Sequence, residues 1–543
     1  MIKDWELIGK ASQFIAEEMG ISLKRSAISP NIKERMDHSC AILDKSGRIV
    51  AQAEHIPVHL GSFKIGSMNL LQWIISNRIE LSEGDMILTN DPYITGTHLN
   101  DVMLLAPVHH EDSICAYVVN KAHIVDVGGP VFGSLNPNAK NLYQEGVIIP
   151  PVKLVKSGKI DQELLSIILS NFKEPSVASG DINAQIAANS AGIARIREML
   201  VEYGVSAVLS GWNETIKHSR KLAMLAISGW KHGSFYATDM LEAGNSPIFL
   251  KLRLDISNKG IIADFSGSST ELELPINAVK GVTFSAAAYA VRSAMNSEIP
   301  TNDGLYSILK VYAPEGSLLN PEKPYPVSGG NVETTQRIAD VVHHALSEST
   351  GTVIPSASSG TMFNVMMGGP RGHGKFWSYY ETIGGGNGAG KGRNGESGVH
   401  SNMTNTMNTP IEVAEREYPI FFTAYRIRKN SGGIGNWKGG DGIIRSFIAM
   451  EACTISILAD RFVNPPYALA GGRSGKTGKV YIIQKNKRKR YPSKFTADLA
   501  SGDEVIILTP GGSGYGRSGN TTNDLNMNKK SKGKNDFKKP ASA

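Results

Sequence analysis

The sequence predicts an α+β protein of several domains, helix-rich toward its N-terminus and β-rich and glycine-rich toward its C-terminus. Three observations carry this. Residues 160–229 repeat apolar side chains at three-and-four spacing, as in NAQIAANSAGIARIREMLVEYG. Beyond about 233, short apolar runs such as IFLKLRLDIS and CTISILAD alternate with turn residues, the texture of strands. The chain of 543 residues is too long for one core, and its 57 glycines call for many turns and close backbone approaches. The expected domains are an N-terminal metal-site domain over 1–230, a β-rich middle domain over 231–350, a glycine-rich β domain over 351–520 and a basic disordered tail over 521–543.

The elements follow in order. Trp5, Leu7, Ile8, Phe14 and Ile15 mark an opening helix. SCAILDKSGRIVAQA (39–53) has two apolar runs around DKSGR, a hairpin signature. Residues 62–80 read as helix. SEGDMILTNDPY reads as a short strand ending in a turn that Asp91-Pro92 initiates. VMLLAPV (102–108) and ICAYVVN (114–120) are strands joined by HHEDS. FYATDML, IFLKLRLDIS and GIIADFSGSS are β-like, a helix covers about 280–296, and 355–405 is rich in Gly, Ser and Asn. FFTAYRIRK, IIRSFIAM, CTISILAD, KVYIIQ and EVIILT close the series as strands.

The net charge of +7 is local. Two basic segments, the last 23 residues and QKNKRKRYPSK (484–494), carry more than all of it, and the rest of the chain is slightly acidic. These segments read as a disordered tail and a solvated hairpin tip rather than a nucleic-acid surface. Cys40, Cys115 and Cys453 lie far apart, which excludes a disulfide framework or a cysteine-rich zinc site by pattern. With no signal-peptide pattern and no apolar run of membrane-spanning length, the expectation is a cytoplasmic protein that engages neither membrane nor nucleic acid.

Two glycine motifs invite a nucleotide reading. AGGRSGKT (470–477) approximates a phosphate loop, but NPPYAL before it and the strand-like GKVYIIQ after it supply neither the buried strand nor the helix such a loop requires. IGGGNGAGKGRNG opens no helix either. It stands as a structural or mobile loop, or as an anion nest.

TGTHLND (95–101) is different. If the 102–120 hairpin turns about Glu111, residue i faces residue 222 − i, so 101 faces 121 and 99 faces 123. His98, Asp101 and His123 then converge at its open end. Two imidazoles and a carboxylate form a common first shell for Zn²⁺, Mn²⁺ or Fe²⁺. Asp37, just before the first strand of the other hairpin, is a free carboxylate at a similar edge. His55 and His59 are four apart, but Pro57 argues against a helical pair. They are either packing histidines or acid–base groups of the same cavity, and His59 is the candidate catalytic residue.

RMDHSCAILDKSGRIVAQAEHIPVHLGS, GDMILTNDPYITGTHLNDVMLLAPV, KAHIVDVGG, GGNVETTQRIAD, SNMTNTMNTPIEVAEREYP and SGGIGNWKGGDG resemble the hydantoinase B/oxoprolinase family, over about residues 1–517. The resemblance implies the B subunit of an ATP-dependent enzyme opening cyclic amides such as hydantoins or 5-oxoproline. Alternatives are the large subunit of an acetone- or acetophenone-type carboxylase and a non-catalytic assembly subunit. It also implies an ATP-Mg-binding hydantoinase A-type partner, in an assembly such as A2B2, and a small cyclic amide or ketone substrate. The family's metal-holding pattern falls on Asp37, His98, Asp101 and His123. Thr95, Lys173 and Ser513 depart from residues common in the family, and none is a proposed ligand.

Overall fold

A computed structural model describes residues 4–53, 55–243, 247–295, 298–350 and 354–518. The expected basic tail lies outside the described residues. The first helix, Asp4–Ser26, carries Asp4 and Glu6 in its first turn and Lys24 and Arg25 in its last, matching the helix dipole. It buries Ile8, Ile15, Met19 and Leu23.

Seven strands form the sheet that positions the site: β1 (His38–Asp44), β2 (Ile49–Gln52), β3 (Met86–Thr89), β4 (Asp101–His110), β5 (Ser113–His123), β6 (Val152–Lys156) and β7 (Lys159–Ile160). Their order is β2-β1-β5-β4-β3-β6-β7, and every pair is antiparallel. The helices Asp4–Ser26 and Pro175–Tyr203 pack together, and the second also packs on β4 and β5. Residues 101–108 of β4 are all buried, which explains why VMLLAPV shows no alternation.

The β4–β5 hairpin exists, but its register corrects the expectation. Asp101 pairs with His123, not with Lys121. The turn is only Glu111 and Asp112, and the register shifts between Val108 and His109, where Cys115 is the extra residue of a bulge. A bulge cannot be read from apolar spacing. Its consequence is to set His123 directly opposite Asp101. The expected helix over 62–80 runs instead from Pro57 to Ser76, because proline, with fixed φ and no N–H, starts a helix well. His59 is therefore inside this helix and His55 outside it.

A second sheet, β8 (Gly233–Leu241), β9 (Ile248–Ser257), β10 (Gly260–Asp264) and β11 (Leu309–Tyr312), has the order β11-β10-β9-β8. The helix Lys280–Ser293 lies in the crossover between the parallel strands β10 and β11. The helix Thr335–Leu346 packs on β8 and β9.

The C-terminal part holds β12 (Asn364–Pro370), β13 (Phe376–Thr382), β14 (Ile420–Arg428), β15 (Gly442–Ala449), β16 (Cys453–Leu458), β17 (Lys479–Gln484), β18 (Lys487–Tyr491), β19 (Lys494–Leu499) and β20 (Glu504–Leu508). They build sheets of order β13-β12-β16-β19 and β14-β15-β20-β17-β18. Strands β12 and β13 fall inside the stretch read only as Gly-, Ser- and Asn-rich. Their own glycines and the linking GGPRGHGK hide the pattern. Met366 and Tyr380 join the core of the N-terminal part, while Val365, Met367 and Tyr379 join a second core with Phe447 and Val505. This hairpin thus presents one face to each core, by strand alternation.

QKNKRKRYPSK is not only a hairpin tip. The tip is Lys485-Asn486, both at positive φ, and the charges run down the exposed edge strand β18, where they discourage strand addition. AGGRSGKT leads into β17 with no helix after it, as expected. IGGGNGAGKGRNG is structural: Asn387 N–H donates to the Glu396 carbonyl (2.8 Å), Gly440 N–H to that of Asn387 (2.8 Å) and Gly512 N–H to that of Gly440 (3.0 Å). Extended glycine segments lie side by side. Among the described residues no helix is long and apolar enough to cross a membrane.

Candidate metal centre

Three adjacent strand ends and one helix start meet at a point. Asp37 immediately precedes β1, His123 ends β5 and Asp101 begins β4. His123 N–H donates to the Asp37 carbonyl (3.0 Å), closing that corner. His98 sits in the turn entering β4. That turn is fixed by sequence: Asp91 caps Pro92–Thr95 through Tyr93 N–H (3.1 Å), and Gly96 takes φ 78° to end the short helix. Asn90 Nδ2 donates to the Leu99 carbonyl (3.0 Å) and Asn100 Nδ2 to that of Ile124 (2.9 Å), tying the turn to the next segment.

His98 Nε2 lies 3.1 Å from Asp101 Oδ1 and 3.2 Å from His123 Nδ1. His123 Nδ1 lies 3.4 Å from Asp101 Oδ1 and 3.8 Å from Asp37 Oδ2. All four side chains are buried. Three donors bound at about 2.0–2.2 Å around one cation stand roughly 3 Å apart, so the spacing fits a shared divalent ion. A single hydrogen on each ring nitrogen cannot satisfy three mutual contacts, whereas one cation between them can. The structure brings His98, Asp101 and His123 together, with Asp37 Oδ2 3.8 Å from His123 Nδ1.

Burial would raise the Asp101 carboxyl, but the imidazoles of His98, His59 and His123 outweigh it and hold it well below the usual carboxylate range. Burial lowers His123, against the pull of Asp37 and Asp101. The ionised carboxylate and neutral imidazole are the forms that ligate metals.

Of the two further histidines, only His59 reaches this point. His59 Nε2 is 3.2 Å from Asp101 Oδ2, and its Nδ1 is 3.2 Å from Ser39 Oγ. The Ser39 hydroxyl donates to the His38 carbonyl (2.8 Å), which commits its only hydrogen. Ser39 Oγ therefore accepts from His59 Nδ1–H, and Nε2 is directed at Asp101 Oδ2 on the cavity wall. His55 instead packs 4.8 Å from His38, ring to ring, and belongs to the contact with the first helix.

Other wall residues were not singled out by sequence. Tyr380 of β13 stacks on His123 (centroids 4.7 Å apart, planes 10° apart), and the Arg35 guanidinium lies 4.6 Å from the centroid of the same Tyr380 ring. Arg35 donates to the Tyr380 carbonyl (3.2 Å) and to Thr382 Oγ1 (3.0 Å). Lys121, fully buried, donates to Ser62 Oγ and the Thr95 carbonyl, both at 2.8 Å, and so ties the His59 helix to the His98 turn. Burial, opposed by Asp101, takes its ammonium down to about 7. The cavity, about 20 Å³, is closed by Asn331, Met362, Met403, Thr404 and Thr406.

Residues 4–518 match the Hydantoinase B/oxoprolinase family. An uncharacterised protein of Methanocaldococcus jannaschii is 46% identical over 511 residues, covering 94% of this chain and 90% of that protein. A 5-oxoprolinase of Arabidopsis thaliana is 36% identical over 530 residues, 92% of this chain but only 41% of the plant protein. The chain thus spans about two fifths of that relative. The ATP-dependent caprolactamase of Pseudomonas jessenii superimposes with a TM-score of 0.87 at 25% identity, over 96% of this chain and 93% of that one. An acetone carboxylase chain shares the fold, with a TM-score of 0.88 at 16% identity over 96% of this chain and 77% of that one. By its sequence from end to end of the described fold, the chain belongs to the hydantoinase B/oxoprolinase family.

Proposed function

We propose that this chain is the B subunit of an ATP-dependent enzyme that opens cyclic amides, acting with an ATP-binding partner of the hydantoinase A type. The observation that carries the reading is the buried convergence of His98, Asp101 and His123 beside Asp37, with His59 Nε2 on the same cavity. Likeness to a caprolactamase and to 5-oxoprolinases supports cyclic amides as substrates. The absence of a phosphate-loop context at 470–477 supports ATP binding by the partner.

Asp37, His98, Asp101 and His123 would hold the divalent cation, Zn²⁺, Mn²⁺ or Fe²⁺. When bound, such an ion polarises a carbonyl or the attacking water. A ring amide is resonance-stabilised, so ATP first activates its carbonyl by phosphorylation. His59 Nε2 then takes a proton as water adds to the activated carbon, the ring C–N bond breaks with the nitrogen taking up a proton, and a second water hydrolyses the resulting acyl phosphate to carboxylate and inorganic phosphate. Ser39 keeps His59 in the tautomer that can do this. The proton then on Nε2 is donated to Asp101 Oδ2, 3.2 Å away, which steadies the imidazolium.

The test is reconstitution with the partner subunit and measurement of ATP hydrolysis driven by 5-oxoproline, hydantoin or caprolactam, with and without bicarbonate. Turnover of cyclic amides to ring-opened products is expected. ATP hydrolysis driven only by ketones, with a strict bicarbonate requirement, would replace the reading by an acetone-type carboxylase.

Lys121 offers a separate check. Its buried charge costs folding energy, as the fall of its pKa to about 7 records. Lys121→Met is therefore expected to unfold in urea within about 1 kcal/mol of wild type. Metal binding should weaken about tenfold, because the His59 helix and the His98 turn lose their tie. Unchanged metal affinity would remove Lys121 from the support of the site.

A further inference from the structure

Asn331 lies in a π-helical turn, Gly330–Thr334, an irregularity that recurs at functional sites. It is 3% exposed, and its Oδ1 has no hydrogen-bond partner. It lines the same cavity as His59, His98, Asp101 and His123. A buried, unpaired carboxamide oxygen costs about 1–3 kcal/mol, so stability does not explain an asparagine here. The turn is also held rigidly. A Cβ on Gly330 would stand 1.8 Å from the Asn277 carbonyl oxygen, and Thr335 Oγ1 donates to the Asn331 carbonyl (2.8 Å). Ile56, Val58, Val332, Met362 and Met403 add apolar wall around it.

A carboxamide presents a carbonyl oxygen and an N–H side by side. A small ring forces its own amide to be cis, which places the ring N–H and C=O on one edge in the same way. Two such edges pair through two hydrogen bonds, as asparagine pairs with the adenine edge. A ketone, a lactone or an N-alkylated lactam offers the acceptor without the donor. We propose that Asn331 recognises the cis-amide edge of the substrate ring where that edge reaches the cavity. This rests on the cyclic-amide reading and makes Asn331 the residue that selects amides over ketones and esters.

The experiment is binding to the metal-loaded full-length chain, followed by ligand-observed NMR, with three probes: 2-pyrrolidinone, N-methyl-2-pyrrolidinone and γ-butyrolactone. Wild type is expected to prefer 2-pyrrolidinone by about tenfold or more, because a site built for a donor leaves its acceptor unpaired with the analogues. Asn331→Leu should bind all three alike, with metal content and melting temperature unchanged. Asn331→Ala serves should the leucine variant fail to fold, and it should also lose the acceptor for the ring N–H and with it the preference. Equal binding of the three probes by wild type, or an undiminished preference in a folded Asn331 variant, overturns the proposal. Turnover is scored apart from this. A reconstituted complex inactive on every cyclic amide, yet with Asn331-dependent binding preference, would retire the hydrolase reading and keep the recognition edge. An active complex whose Asn331→Leu variant keeps wild-type selectivity would do the reverse.

Discussion

His123→Ala is expected to strip the chain of its divalent cation and to abolish substrate-driven ATP hydrolysis in the reconstituted complex, while the complex still assembles. The ring is central to the site. Its Nδ1 stands 3.2 Å from His98 Nε2 and 3.4 Å from Asp101 Oδ1, and it faces Asp37 as well. Removal of partners that merely orient ligands costs about 10–100-fold in metal affinity, so loss of a ligand should cost at least about 100-fold. Assembly should survive because the backbone pairing of His123 with Asp101, and its N–H bond to the Asp37 carbonyl, do not need the side chain. Asp37→Ala should act in the same direction, and His55→Ala, in the contact between His38 and the first helix, should keep the metal. Elemental analysis of the purified variants decides this: full metal occupancy in His123→Ala would show that these side chains are not the ligands.

The site was partly legible because its central pieces are local. Asp101 and His123 end two strands of one hairpin, and a hairpin's pairing follows from apolar runs and a polar turn. The register was off by two residues, one because the turn centres between Glu111 and Asp112 and one because the bulge at Cys115 leaves no trace in hydropathy. His59 could be seen only as one of two equivalent histidines. What separates it from His55 is Pro57 starting a helix between them, so that His59 contacts Ser39 and Asp101 while His55 packs on His38. Arg35, Tyr380 and Asn331 were out of reach for a different reason. They come from segments far apart in the chain, and nothing in the spacing of 35, 331 and 380 says that they share a cavity. Their segments did carry a trace: GGNVETTQRIAD was among the motifs that marked the family, yet a motif does not say which of its polar residues is left without a partner.

The glycine-rich region illustrates the opposite case, where composition announced a constraint but not its form. Asn387, Gly440 and Gly512 belong to extended segments joined by main-chain hydrogen bonds, and the segments approach too closely for side chains. A Cβ on Gly440 would stand 1.8 Å from the Glu396 carbonyl oxygen and 2.5 Å from its carbon. On Gly388 it would stand 1.6 Å from the Ser356 carbonyl oxygen. These neighbours are backbone, so no side chain can rotate away, and whole segments must separate. Overpacking a core costs about 1–3 kcal/mol where side chains can adjust. Here they cannot, so Gly440→Ala and Gly388→Ala are each expected to cost about 4 kcal/mol or more. Gly229 gives the contrast. It has φ −84° at the end of a helix, and an added Cβ meets nothing within 4 Å. Gly229→Ala should lie within about 1 kcal/mol of wild type, on the stabilising side, because alanine restricts the unfolded chain. Urea unfolding of the three variants reads the difference directly. If Gly440→Ala unfolded at the wild-type midpoint, the close main-chain approach would not be what these glycines are for, and a mobile loop would be the better account of IGGGNGAGKGRNG.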